Sequence, residues 1–97
     1  HEGEDSTRFY GEVRTDEHMV YLHIPDSDNN DTRVIEIYKV IDESQKIEKS
    51  NLKHVVKKFG TDCKTILASG KYILKVTILY NSIDKKDFIK AQSFNIL

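Results

Sequence analysis

The chain is 97 residues long, with a formal net charge of −1, 38% apolar and 32% charged side chains. That length suits one domain with a modest core, and five tyrosines and four phenylalanines argue against disorder. The single cysteine, Cys63, excludes an internal disulfide framework and a Cys-rich zinc site, and no apolar run reaches the roughly 18 residues of a membrane span.

Residues 1–7 are polar and are expected to form a flexible tail, with 8–97 as one folded domain. Arg8 to Val13 alternates weakly and predicts a short strand, with Thr15-Asp16-Glu17 as the following turn. From His18 to Ile24 the alternation is clean: Val20, Leu22 and Ile24 share one face, and Met19, Tyr21 and His23 the other. Pro25 ends that strand, since it has no N–H to give to a ladder. The polar run Asp26–Asp31 reads as a loop, and Arg33 to Ile41 as a third strand with apolar residues on both faces.

The period then changes. Leu52, Val55, Val56 and Phe59 recur at i, i+3, i+4 and i+7, which predicts an amphipathic helix ended by Gly60, with lysines on its opposite side. Asp42 with Gln45 and the hydroxyl of Ser50 offer alternative N-caps. Lys64 to Ala68 predicts a short strand. Lys71 to Tyr80 predicts a long one with Tyr72, Leu74, Val76, Ile78 and Tyr80 on one face. A polar turn leads to a last strand, Asp87 to Leu97, expected to close an antiparallel hairpin over five or six loop residues. The expected fold is a mostly-β antiparallel sandwich of about six strands with one amphipathic helix. The alternative is an α+β arrangement with the helix across one sheet face.

The small net charge conceals an asymmetry. Residues 1–45 hold twelve acids against four bases, whereas residues 46–97 hold eleven lysines against four acids. Either the halves interleave and their charges pair, or the surface is dipolar and steers a charged partner or self-associates. A basic region made only of lysine lacks the guanidinium forks that favour phosphates and base edges, so nucleic acid is not an expected partner.

The stretch Ala68-Ser69-Gly70-Lys71-Tyr72-Ile73-Leu74-Lys75-Val76 has the form G-x-Y-x-L-x-V. It resembles the corner before the penultimate strand of immunoglobulin-like β-sandwiches, where a tyrosine hydroxyl fixes the turn. It is also similar to the last hairpin of the lipid-recognition β-sandwich family. The Cys…Trp…Cys of true immunoglobulin domains is missing, as are the paired cysteines of the lipid-recognition family.

Candidate sites are few. Asp26, Asp28 and Asp31 present oxygen ligands at near-alternate positions, but the run departs from an EF-hand loop in having Asp31 at its sixth position and Ile37 at its twelfth. Asn30-Asp31-Thr32 is a glycosylation sequon, which favours a secreted setting and places a glycan on Asn30. The four histidines show no zinc-ligand spacing, and no phosphate loop, nucleophile elbow or H-E-x-x-H motif is present. Cys63, unpaired within the chain, is a candidate for an intermolecular disulfide in a homodimer. Five tyrosines suit a recognition surface.

The expected function is a non-catalytic extracellular binding module, without cofactor, that recognises a protein partner through a sheet face or loops. The alternative is a small carrier holding a lipid or other apolar molecule between its sheets with Leu74, Val76, Ile78, Phe88 and Phe94.

Overall fold

Alternating apolar residues give extended strands with one face to bury, and the chain satisfies them in two antiparallel sheets. The computed structural model describes residues 12–24 and 31–97. Among these, β1 (Glu12–Asp16), β2 (Met19–His23) and β5 (Asp62–Ile66) form a three-stranded sheet in the order β1-β2-β5. The strands β3 (Thr32–Val40), β4 (Leu52–Phe59), β6 (Gly70–Leu79) and β7 (Phe88–Ile96) form a second sheet in the order β4-β3-β6-β7. The expected tail, most of the first predicted strand and the loop residues Asp26, Asp28 and Asn30 lie outside the described residues.

One cluster of buried side chains draws on both sheets. Val20, Leu22, Ile24, Cys63 and Leu67 come from the β2 and β5 side, and Ile35, Ile37, Tyr72, Leu74, Val76 and Ile96 from the four-stranded sheet. Full burial of an aliphatic side chain of this size is worth about 1.5–3 kcal/mol, which makes this cluster the main source of stability. Six of its eleven members, Val20, Leu22 and Ile24 with Tyr72, Leu74 and Val76, come from the alternating sets that the sequence singles out.

The predicted helix is not there. Its residues form a single 3-10 turn, Lys49–Asn51, followed by the edge strand β4. The cause is a β-bulge. β3 pairs Ile37 with Val56 but Tyr38 with His54, so Val55 is the extra residue on β4. An extra residue reverses which face the rest of the strand presents. Leu52 and His54 therefore join the face opposite Val56, and the two-residue period is broken into spacings that imitate a helical stripe. The α+β alternative, which needed that helix, falls with it. Gly60 is a strand-end residue at φ 120°, donating its N–H to the Arg33 carbonyl, rather than a helix cap.

Three boundaries also move. β1 runs to Asp16, and the turn after it is carried by Glu17, at φ 57°, with His18. The short strand expected at Lys64 to Ala68 is β5, Asp62–Ile66, shifted two residues early. The last hairpin is connected by residues 80–87, longer than expected. The described residues hold seven strands rather than six.

Two side chains fix connections. Tyr72 donates its hydroxyl to the Ala68 carbonyl at 2.7 Å, so the turn before β6 is held by the residue that enters the strand. Gly70 in that turn sits at φ 150°, and a Cβ there would press on the Lys39 side chain at 3.4 Å. The second is Asn51, 8% exposed. Its Nδ2 donates to the carbonyls of Asp42 and Lys46, at 2.8 and 3.1 Å, and its Oδ1 accepts from the Asp42 N–H at 2.8 Å. Backbone bonds from Ile41 to Asn51 and from Asn51 to Glu48 complete the closure of the 41–51 loop.

Candidate functional site

Strand alternation gives the four-stranded sheet a second face, turned away from the core cluster. Its rows follow from the register. Phe59, Val34, Thr77 and Ile89 lie side by side across β4, β3, β6 and β7, and the next row is Lys57, Glu36, Lys75 and Ala91. Beyond the bulge comes His54, Tyr38, Ile73 and Ser93.

The first row leaves large apolar groups in solvent: Phe59 is 63% and Ile89 61% exposed, and Leu79, on the same face of β6, is 41% exposed. Lys57 holds its ammonium 5.7 Å above the Phe59 ring.

The other rows form an open groove of about 730 Å³, lined by Tyr38, Lys49, Leu52, His54, Ile73, Lys75 and Ala91. Its floor is apolar, and two ammonium groups stand among its walls. At its centre the Tyr38 and His54 rings meet at a centroid distance of 4.8 Å. Both address one carboxylate oxygen. Tyr38 donates its hydroxyl to Glu36 Oε2 at 3.1 Å, and His54 Nε2 lies 3.4 Å from the same atom. The Tyr38 phenol is held above its ordinary pKa, first by burial and then by its hydrogen bond to the Glu36 carboxylate and that group's charge. Leu52 and His54 reach this groove only because the bulge at Val55 turns them there.

The charge asymmetry of the sequence becomes a difference between sheets. The strands of the four-stranded sheet carry eight bases against one acid, Glu36, whereas those of the three-stranded sheet carry three acids and two bases. The halves do interleave, since β3 from the acidic half lies between β4 and β6, but β3 brings only Glu36 to face Lys57 and Lys75.

The residues singled out for a carrier are on the core side. Leu74 and Val76 are buried in the cluster, and Ile78, Phe88 and Phe94 pack against it, with the Phe94 and Tyr72 rings stacked at 5.6 Å. Cys63 is in the same cluster, 3% exposed, and burial pushes its thiol pKa up against the opposing effect of Lys58. Of the loop candidates only Asp31 is described. Its carboxylate accepts the Asn81 N–H at 2.9 Å, tying the start of β3 to the turn after β6.

The histidines do not converge. His18 donates from Nδ1 to the Leu67 carbonyl at 2.8 Å, which places the proton on that nitrogen. His23 pairs with Asp62 at 2.8 Å on the solvent side of β2 and β5, and that hydrogen bond is the chief reason the Asp62 carboxyl lies below its usual range. Among the described residues no group of three or more His, Cys, Asp or Glu side chains could hold a metal, and no helix is long and apolar enough to cross a membrane. No known family model, curated protein or solved structure matches the chain.

Proposed function

We propose that this chain is a non-catalytic, extracellular binding module, an immunoglobulin-like β-sandwich that recognises a protein partner through the outer face of its four-stranded sheet. The observation that carries the reading is the row of exposed apolar side chains on that face, Phe59, Leu79 and Ile89, continuous with a groove walled by Tyr38 and His54. A contiguous apolar patch with aromatic neighbours and a polar margin is the usual mark of a recognition surface.

The immunoglobulin-like reading rests on the two strand orders, on a core cluster shared between the sheets, and on the Tyr72 hydroxyl bonded four residues back. It differs from the antibody constant arrangement in one respect, because β4 joins β3, β6 and β7 rather than the other sheet. The extracellular setting rests on the sequon at Asn30. A carrier role for Leu74, Val76, Ile78, Phe88 and Phe94 is less well supported, since those side chains already pack into the core, and a disulfide through buried Cys63 would need β5 to open.

The test places a photo-cross-linking residue at Phe59 and, separately, at Lys64 on β5. Cross-links to one partner from position 59 and not from 64 support the reading. They should vanish in an Ile89→Asp variant whose unfolding midpoint stays at that of the parent. Equal cross-linking from both positions, or none from 59, rejects it.

A further inference from the structure

The groove on the outer face has a composition that selects among protein partners. This step rests on the binding-face reading above. We infer that the groove receives an acidic, apolar-flanked peptide segment of the partner, its carboxylates meeting Lys49 and Lys75 while its aliphatic or aromatic side chains cover Leu52 and Ile73. Three observations converge on it.

The first is extent. The lining residues begin at the 3-10 turn with Lys49 and run through β4, β3 and β6 to Ala91 on β7, so the groove crosses the whole sheet. Three inter-strand spacings of about 4.8 Å make roughly 14 Å, the span of about four residues of extended peptide lying across the strands.

The second is charge. Glu36 is the one acid among the strands of this sheet, and its single charge stands against Lys57, Lys71 and Lys75 on the same face, which therefore stays net positive. A partner carboxylate placed there is attracted by Lys49 and Lys75 across a face whose net charge is positive.

The third is the floor. Leu52, Ile73 and Ala91 with the Tyr38 ring give an apolar surface that a polyanion such as a sulfated glycan has nothing to cover with, whereas a peptide does. The absence of arginine from β4, β6 and β7 points the same way, because lysines attract carboxylates as point charges without the fork that grips phosphate or sulfate.

The experiment titrates the 15N-labelled protein with an acetylated, amidated octapeptide alternating Glu with Leu and Phe, and with its counterpart in which every Glu is Gln. The expected result is amide shifts at residues 52–54, 73–75 and 91, with the Gln peptide at least fivefold weaker. The Lys49→Glu/Lys75→Glu protein should bind the Glu peptide at least tenfold more weakly, keep its affinity for the Gln peptide and keep the parent's unfolding midpoint. Equal affinity for the two peptides, shifts elsewhere, or tighter occupation of the same residues by a heparin hexasaccharide each overturns the inference. Cross-linking from position 59 separates the two claims. If it survives the double charge reversal, the groove inference fails and the binding face stands. If position 59 never cross-links, both fall.

Discussion

Along β6, Tyr72, Leu74 and Val76 are buried in the core, while Lys71, Ile73 and Lys75, one residue away in each case, stand on the outer face of the same sheet. The first set belongs to a buried cluster with Val20, Leu22, Ile24, Cys63 and Leu67. The second set meets lysines, an engaged carboxylate and an aromatic pair, and leaves Phe59 and Ile89 in solvent. Both faces are apolar in part, so hydrophobicity alone does not distinguish them. What distinguishes them is whether another element of the chain covers the apolar groups. The core face is covered by the other members of the buried cluster, and the outer face leaves its apolar groups in solvent.

That contrast can be broken most directly by truncating neighbours. Leu74→Ala is expected to cost about 2–5 kcal/mol in urea unfolding, because it leaves a cavity, whereas Ile73→Ala should cost under about 1 kcal/mol. Equal losses would mean that the outer face is as tightly packed as the core. The next effect concerns the loop that supplies Lys49 to the outer face. Asn51→Ala removes three side-chain hydrogen bonds and strands the Asp42 and Lys46 backbone groups, for an expected loss of about 2–3 kcal/mol. Amide exchange at 42–46 should rise in that variant well before the β6 amides are affected.

A smaller effect belongs to the core side. Tyr72→Phe keeps the ring stacked on Phe94 and deletes only the bond to Ala68, so about 1 kcal/mol should be lost in thermal unfolding. The smallest is read by pH. Folding holds the Tyr38 phenol protonated, so its stabilising contribution is full below the ordinary value of 10.0 and declines as pH rises through it. Absorbance titration should show a late-ionising component that Tyr38→Phe removes, and Glu36→Gln should bring it only part of the way back, since burial is the larger cause.

The core face is legible because its alternation is unbroken: Val20 and Leu22 in β2 with Ile24 just after it, and Tyr72, Leu74 and Val76 in β6, are buried as their spacing requires. The tyrosine of the G-x-Y corner also forms the hydrogen bond expected of it. Two features of β4 mask it in the sequence. A bulge at Val55 breaks its period, and as an edge strand it sets lysines on both sides, so neither face looks buried. The groove was hidden for the same reason, since its Leu52 and His54 wall depends on that bulge. The remaining members, Tyr38, Ile73 and Lys75, lie on the second face of their strands, whereas the apolar set that suggests a ligand-holding interior, Leu74, Val76, Ile78, Phe88 and Phe94, lies on the other side. Asn51 gave no signal at all, because a buried asparagine that binds only backbone looks like any loop residue.

The bulge has a genetic corollary. Deleting the single codon for Val55 would remove only the extra residue and leave every other β3–β4 pair in place, with Leu52 opposite Val40 and His54 opposite Tyr38 on the outer face. The groove would keep both of those residues, and β4 would lose only the local bend that the bulge gives it. An in-frame loss of one residue at the bulge therefore spares the make-up of the outer face, whereas deleting Lys53 would turn Leu52 to the other side of the sheet.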